Sequence, residues 1–137
     1  ANVSAGGDSR VLGDKLGKPW LVGIRNPRAE DKNAVAITLP LENCAISTSG
    51  DYERFFIDKD GQRVHHIINP KTGKSPHGII SASVIGPAGF DTDPLTKTIF
   101  IMGPEKGLAL INSLPGFDAI VITESGKVIY SKGLTPP

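Results

Sequence analysis

The chain is 137 residues long, with 15 Lys and Arg against 14 Asp and Glu, a formal charge of +1 and 39% hydrophobic residues. That length fits one domain, residues 1–137, with a modest core, and the scattered, nearly cancelling charges exclude a dense basic surface for nucleic acid. A single cysteine, Cys44, excludes an internal disulfide and a thiolate-built metal centre, and no apolar run is long enough for a membrane-spanning helix.

The chain opens with Ala rather than Met, and ANVSAGGDSR lacks the charged and apolar regions of a signal peptide. Asn2 to Ala5 reads as the end of a strand, and Gly6-Gly7-Asp8 as a turn that leaves a ligand room near the backbone. Arg10 to Gly13 is a short strand candidate, and Trp20 to Ile24 is a clear strand. Asn26 to Asn33 is a loop on composition. Val35 to Leu39 is extended until Pro40 breaks it, and Cys44 to Ser47 resumes.

Ser47, Thr48, Ser49 and Gly50 are expected to form a hydroxyl-rich turn whose N–H groups can face an anion. Tyr52 to Ile57 is a strand, Asp58-Lys59-Asp60-Gly61 a hairpin turn, and Arg63 to Ile68 the returning strand. Side chains alternate along a strand, so His65 and His66 face opposite sides and do not share a metal. Asn69-Pro70-Lys71-Thr72-Gly73 turns the chain sharply.

Ile79 to Gly86 reads as an interior strand and Pro87 to Phe90 as a turn. Asp91-Thr92-Asp93-Pro94 has the form of a helix start, with Leu95, Ile99, Phe100 and Met102 on the apolar side and Gly103-Pro104 as the stop. A second helix is expected from Pro104 or Glu105 to Asn112, burying Leu108, Leu110 and Ile111. Phe117 to Thr123 and Lys127 to Tyr130 are closing strands, and Gly133 to Pro137 a frayed end. The order of elements predicts an α+β fold, a mostly antiparallel sheet with two late helices.

From the residues alone, Asp93 is a helix cap, a strand histidine is a core or surface residue, and a glycine pair marks a turn. Four stretches in order change that balance: NVSAGGD, PWLVGIRNP, TSGDY with its hairpin and HHIINPKTG, and TDPLTKTIFIMGPEKGLALI. Together they resemble the C-terminal half of the ApbE family, the FAD:protein FMN transferases. The resemblance implies that a threonine hydroxyl of an acceptor flavoprotein attacks the FMN-side phosphorus of FAD and AMP leaves. It implies Mg²⁺, with FAD as substrate, and a missing N-terminal half that supplies further contacts.

By the same resemblance His66 is catalytic and touches the cofactor near the reacting phosphate. Ser47, Thr48, Ser49 and Gly50 contact the flavin or its phosphates, Tyr52 packs on a ring of the cofactor or fills the sheet's face, and Gly6 and Gly7 let the isoalloxazine or adenine approach the backbone. The family's metal motif reads roughly Asp-Ala-Leu-Ser-Thr-Ala, which makes Asp93 a magnesium ligand. Lys97 falls where the threonine ligand would stand, and an ammonium has no lone pair for a cation. Either Thr96 or Thr98 replaces it, or the site is altered. The family's export, often as lipoproteins, implies a periplasmic or membrane-anchored extracytoplasmic setting. Lys97 and the missing half also leave open a non-catalytic FAD-binding or accessory module.

Overall fold

A computed structural model describes residues 1–134. In chain order its elements are β1 (Asn2–Ala5), β2 (Asp8–Val11), β3 (Trp20–Arg25), β4 (Val35–Leu41), β5 (Ala45–Gly50), β6 (Phe55–Ile57) and β7 (Arg63–His65). They continue through β8 (Ile79–Gly86), α1 (Gly89–Met102), α2 (Pro104–Ser113), β9 (Asp118–Thr123) and β10 (Val128–Tyr130). Six strands form one sheet in the order β1-β2-β5-β8-β9-β10, every neighbouring pair antiparallel. The strands β3 and β4 form one separate hairpin, and β6 and β7 another. The α+β architecture with two late helices is as the sequence predicts.

The sheet is covered on both faces, which is why β8 reads IISASVIG rather than as a clean alternation. On one face Ala82, Val84, Ala119 and Val121 meet Ile99 and Phe100 of α1 and Leu108 and Ile111 of α2. On the other, Val11, Ile46 and Ile120 meet Ile24 of β3 and Ile37, Leu39 and Leu41 of β4. The small residues of β8 let α1 lie close to the sheet.

Several expectations need correction. Pro40 does not end β4, which runs on to Leu41 opposite β3; in a two-stranded ladder one edge of β4 is unpaired, where a missing N–H is tolerated. Ser47 to Gly50 are not a turn but the last four residues of β5, paired residue by residue with Val84 to Ser81 of β8. The helix α1 begins before the acidic cluster, at Gly89, after an extended Ala88 with no side-chain cap. Asp93 is therefore not a cap, and Pro94 sits inside the helix. Met102 is exposed rather than packed. At the expected frayed end, Leu134 packs against the β3–β4 side of the core, while residues 135–137 lie outside the described residues.

Candidate functional site

The strand expected to run to Ile68 ends at His65, and His66 follows β7 in a bend, so the two histidines are held apart. The turn of the β6–β7 hairpin is tied by Asp58 Oδ1, which accepts the N–H groups of Asp60 and Gln62, both at 2.9 Å, and Gly61 supplies the positive φ of 76° that the turn requires. His65 pairs with Phe55 and is 4% exposed. Its Nε2 bonds the Pro76 carbonyl at 2.9 Å, and its ring meets Phe100 edge-on at 5.7 Å. The Ser75 hydroxyl braces the same residue, accepting the His65 N–H at 3.0 Å and donating to its carbonyl at 2.6 Å. His65 is a positioned core residue.

His66 points outward and is exposed, its N–H held by the Arg54 carbonyl at 3.0 Å. Beside it lies a groove of about 400 Å³, walled by Phe55, Phe56, Val64 and Ile68 with Arg54 at the margin. The Asn69–Gly73 turn follows as expected: Asn69 Oδ1 accepts the Lys71 N–H at 2.9 Å, and the Asn69 carbonyl accepts the Gly73 N–H at 2.8 Å. An exposed imidazole at the edge of a flat apolar groove can exchange a proton with a bound ligand.

The β5 residues divide by strand alternation. Ser47 and Ser49 face α1, where Ser47 Oγ lies 2.8 Å from Thr92 Oγ1 and Ser49 Oγ lies 2.6 Å from Thr96 Oγ1. Both serines are buried, and Ser47 to Gly50 are paired with β8 in the ladder, so the stretch is a strand rather than an open loop around an anion. Thr48 faces the other way, 2.7 Å from Ser83 Oγ. On that side a cavity of about 200 Å³ is lined by Gly7, Ser9, Arg25, Thr48 and Tyr52. The Tyr52 ring lies over Gly50, where an added Cβ would sit 2.2 Å from a ring carbon, and the Arg25 guanidinium stands 5.1 Å above the same ring. Burial pushes the Tyr52 phenol above its usual pKa. Gly6 and Gly7, with φ of 62° and 95°, make the tight β1–β2 turn. Gly7, Thr48 and Tyr52 thus come together, Ser47 and Ser49 lock the helix to the sheet, and His66 stands elsewhere.

A charged centre escapes the sequence reading. Asp51, 5% exposed, receives both terminal nitrogens of Arg28 at 2.9 and 2.7 Å, and Arg63 Nε stands 3.7 Å from it. The hydrogen bond to Asp51 raises the Arg28 guanidinium above its ordinary pKa, against the opposing effect of burial. Arg63 also lies 3.7 Å over the Phe55 ring. The centre ties the loop after β3 to the end of β5 and to β7, beneath the histidine hairpin.

Asp93 and Thr96, expected as magnesium ligands, both have partners within the chain. Lys97 holds Asp93 Oδ1 in an i,i+4 ion pair, and the Thr96 hydroxyl is fully buried between Ser49 Oγ and the Asp93 carbonyl, the latter at 2.7 Å. Among the described residues no group of three or more His, Cys, Asp or Glu could hold a metal. Mg²⁺ ordinarily takes one or two carboxylates and fills its octahedron with water and substrate phosphates, and here the one carboxylate, Asp93, is engaged by Lys97.

The profile of the ApbE family matches residues 1–121. The chain belongs to the ApbE family. Among its relatives, the FAD:protein FMN transferase of Treponema pallidum is 38% identical over 144 residues, covering 98% of this chain and 39% of the relative. The ApbE protein of Thermotoga maritima superposes with a TM-score of 0.84 at 34% identity, covering 97% of this chain and 43% of that one. The flavin transferase ApbE of Vibrio cholerae does so with a TM-score of 0.76 at 29% identity, over 96% and 42% of the two chains. This ApbE chain therefore spans about two fifths of the length of such relatives, and the match falls in their C-terminal part.

Proposed function

We propose that this ApbE chain is the C-terminal portion of an FAD:protein FMN transferase. The observation that carries the reading is the exposed His66 at the edge of an apolar groove, beside the Asn69–Gly73 turn, in a chain of this family. The exposed ring of Phe56 suits a planar ring system such as a flavin, and Arg54 suits a phosphate. In the transfer, the Oγ of an acceptor threonine forms a bond to the FMN-side phosphorus and the bond from that phosphorus to the AMP oxygen breaks. AMP leaves as the anion. His66 takes the hydroxyl proton, or donates a hydrogen bond to the phosphate oxygens as charge builds on them.

The remaining length of the relatives would supply further contacts to FAD and to the acceptor. Mg²⁺, which the resemblance implies, finds one carboxylate here, already paired with Lys97. An extracytoplasmic location is part of the same proposal, supported by the resemblance and tested by cell fractionation. A second reading, an FAD-holding module without turnover, is favoured by that same pairing of Asp93.

The deciding experiment incubates the chain with FAD and a threonine-containing acceptor, then reads flavin fluorescence on the denatured acceptor and free AMP. Covalent FMN matched by AMP, both lost in His66→Ala, supports transfer. FAD bound without either product supports the module.

A further inference from the structure

We propose that the Lys97 ammonium takes the place of a divalent cation beside Asp93, so that this chain meets the diphosphate of its flavin without Mg²⁺. The inference rests on the flavin reading above. It begins with the spacing of α1, where an Asp four residues before a Lys is the favourable order for an ion pair along one helix face. Lys97 holds Asp93 Oδ1, while 37% of its own side chain remains open to solvent. An ammonium carries three donors, so N–H groups remain for a phosphate after Asp93 has taken one.

The neighbouring oxygens are committed elsewhere. Thr92 Oγ1 bonds Ser47 Oγ at 2.8 Å, Thr96 Oγ1 bonds Ser49 Oγ at 2.6 Å, and Thr98 Oγ1 donates to the Pro94 carbonyl at 3.0 Å. A hydrated divalent ion at Asp93 would have to displace Lys97 or sit against its charge. The inner-face hydroxyls are already paired, so water and phosphate oxygens would have to complete its shell.

The place suits a phosphate partner. Lys97 lies three residues before Phe100, about 4.5 Å along the helix axis, and Phe100 packs on His65, the neighbour of His66. The helix that carries Lys97 thus packs, through Phe100, on the residue that precedes the exposed histidine. A lysine acts there as a point charge for a phosphate, fixed by its carboxylate partner.

The test titrates FAD into the purified chain by flavin fluorescence, once with EDTA and once with Mg²⁺, and separately titrates Mg²⁺ alone by calorimetry. The wild type is expected to bind FAD equally in both and to take up no Mg²⁺. Lys97→Met should bind about tenfold more weakly in both, having lost a charge-assisted contact. Lys97→Thr should bind Mg²⁺, with FAD affinity now rising in its presence. Thermal melts confirm that both variants are folded, as a substitution at a partly exposed position allows. FAD binding by the wild type that strengthens with Mg²⁺, together with Mg²⁺ uptake lost in Asp93→Asn, overturns the inference and leaves the flavin reading standing. Absence of FAD binding in both buffers overturns both.

Discussion

Thr96 Oγ1 lies 2.6 Å from Ser49 Oγ, at the centre of the contact between α1 and β5. Two residues expected to face ligands, one a metal and one a flavin, face each other instead. Thr96 donates to the Asp93 carbonyl at 2.7 Å and accepts from Ser49, in a buried contact where an unpaired hydroxyl is costly. Thr96→Val should therefore lower stability by about 1–2 kcal/mol, measured by urea unfolding, with FAD affinity unchanged. The double variant Thr96→Val, Ser49→Ala should recover part of the loss. A drop in FAD affinity with unchanged stability would place Thr96 at the ligand after all.

The Asp51 centre should matter more to folding than to flavin. Asp51→Asn leaves Arg28 and Arg63 without their carboxylate, but the Arg28 side chain is 44% exposed and solvent reduces the effect. A loss of about 2 kcal/mol follows, between the surface and buried cases. A urea midpoint equal to wild type would contradict this.

Tyr52 gives the chain a limit on the alkaline side. Its phenol is held above the usual pKa by burial, so the unfolded chain releases that proton first. The neutral phenol's contribution is complete below the unfolded pKa of about 10 and is lost as pH rises from there through the folded value. Stability should fall above about pH 10, and less steeply in Tyr52→Phe. Identical slopes for the two proteins would remove Tyr52 from the explanation.

Gly50 is needed because Tyr52 covers it. A Cβ there would lie 2.2 Å from a ring carbon, so Gly50→Ala should cost about 1–3 kcal/mol by overpacking. The penalty should shrink in a Tyr52→Ala background. Equal penalties in both backgrounds would point to strain unrelated to the ring.

What the sequence made legible follows from local chemistry. The β6–β7 hairpin was readable because its turn needs the positive φ that Gly61 supplies, while His66 lies just past the end of β7 rather than on the strand that was expected. Gly103-Pro104 marked the break between the helices for the same kind of local reason. The Ser47–Gly50 stretch misled because its composition is that of a turn, while its burial comes from α1 arriving more than forty residues later. The same distance hid the metal question, since Thr96 looks free until Ser49 is placed opposite it. The Arg28–Asp51 pair joins two loops that nothing in the sequence connects.

The most direct measurement is an FAD titration of the purified chain, followed by flavin fluorescence, for the wild type, His66→Ala and His65→Ala. The exposed His66 variant should melt like wild type and bind FAD more weakly. His65→Ala should melt earlier, because its ring fills the core against Phe100. Unchanged FAD binding in a stable His66→Ala protein would contradict the placement of the flavin site in the groove beside His66.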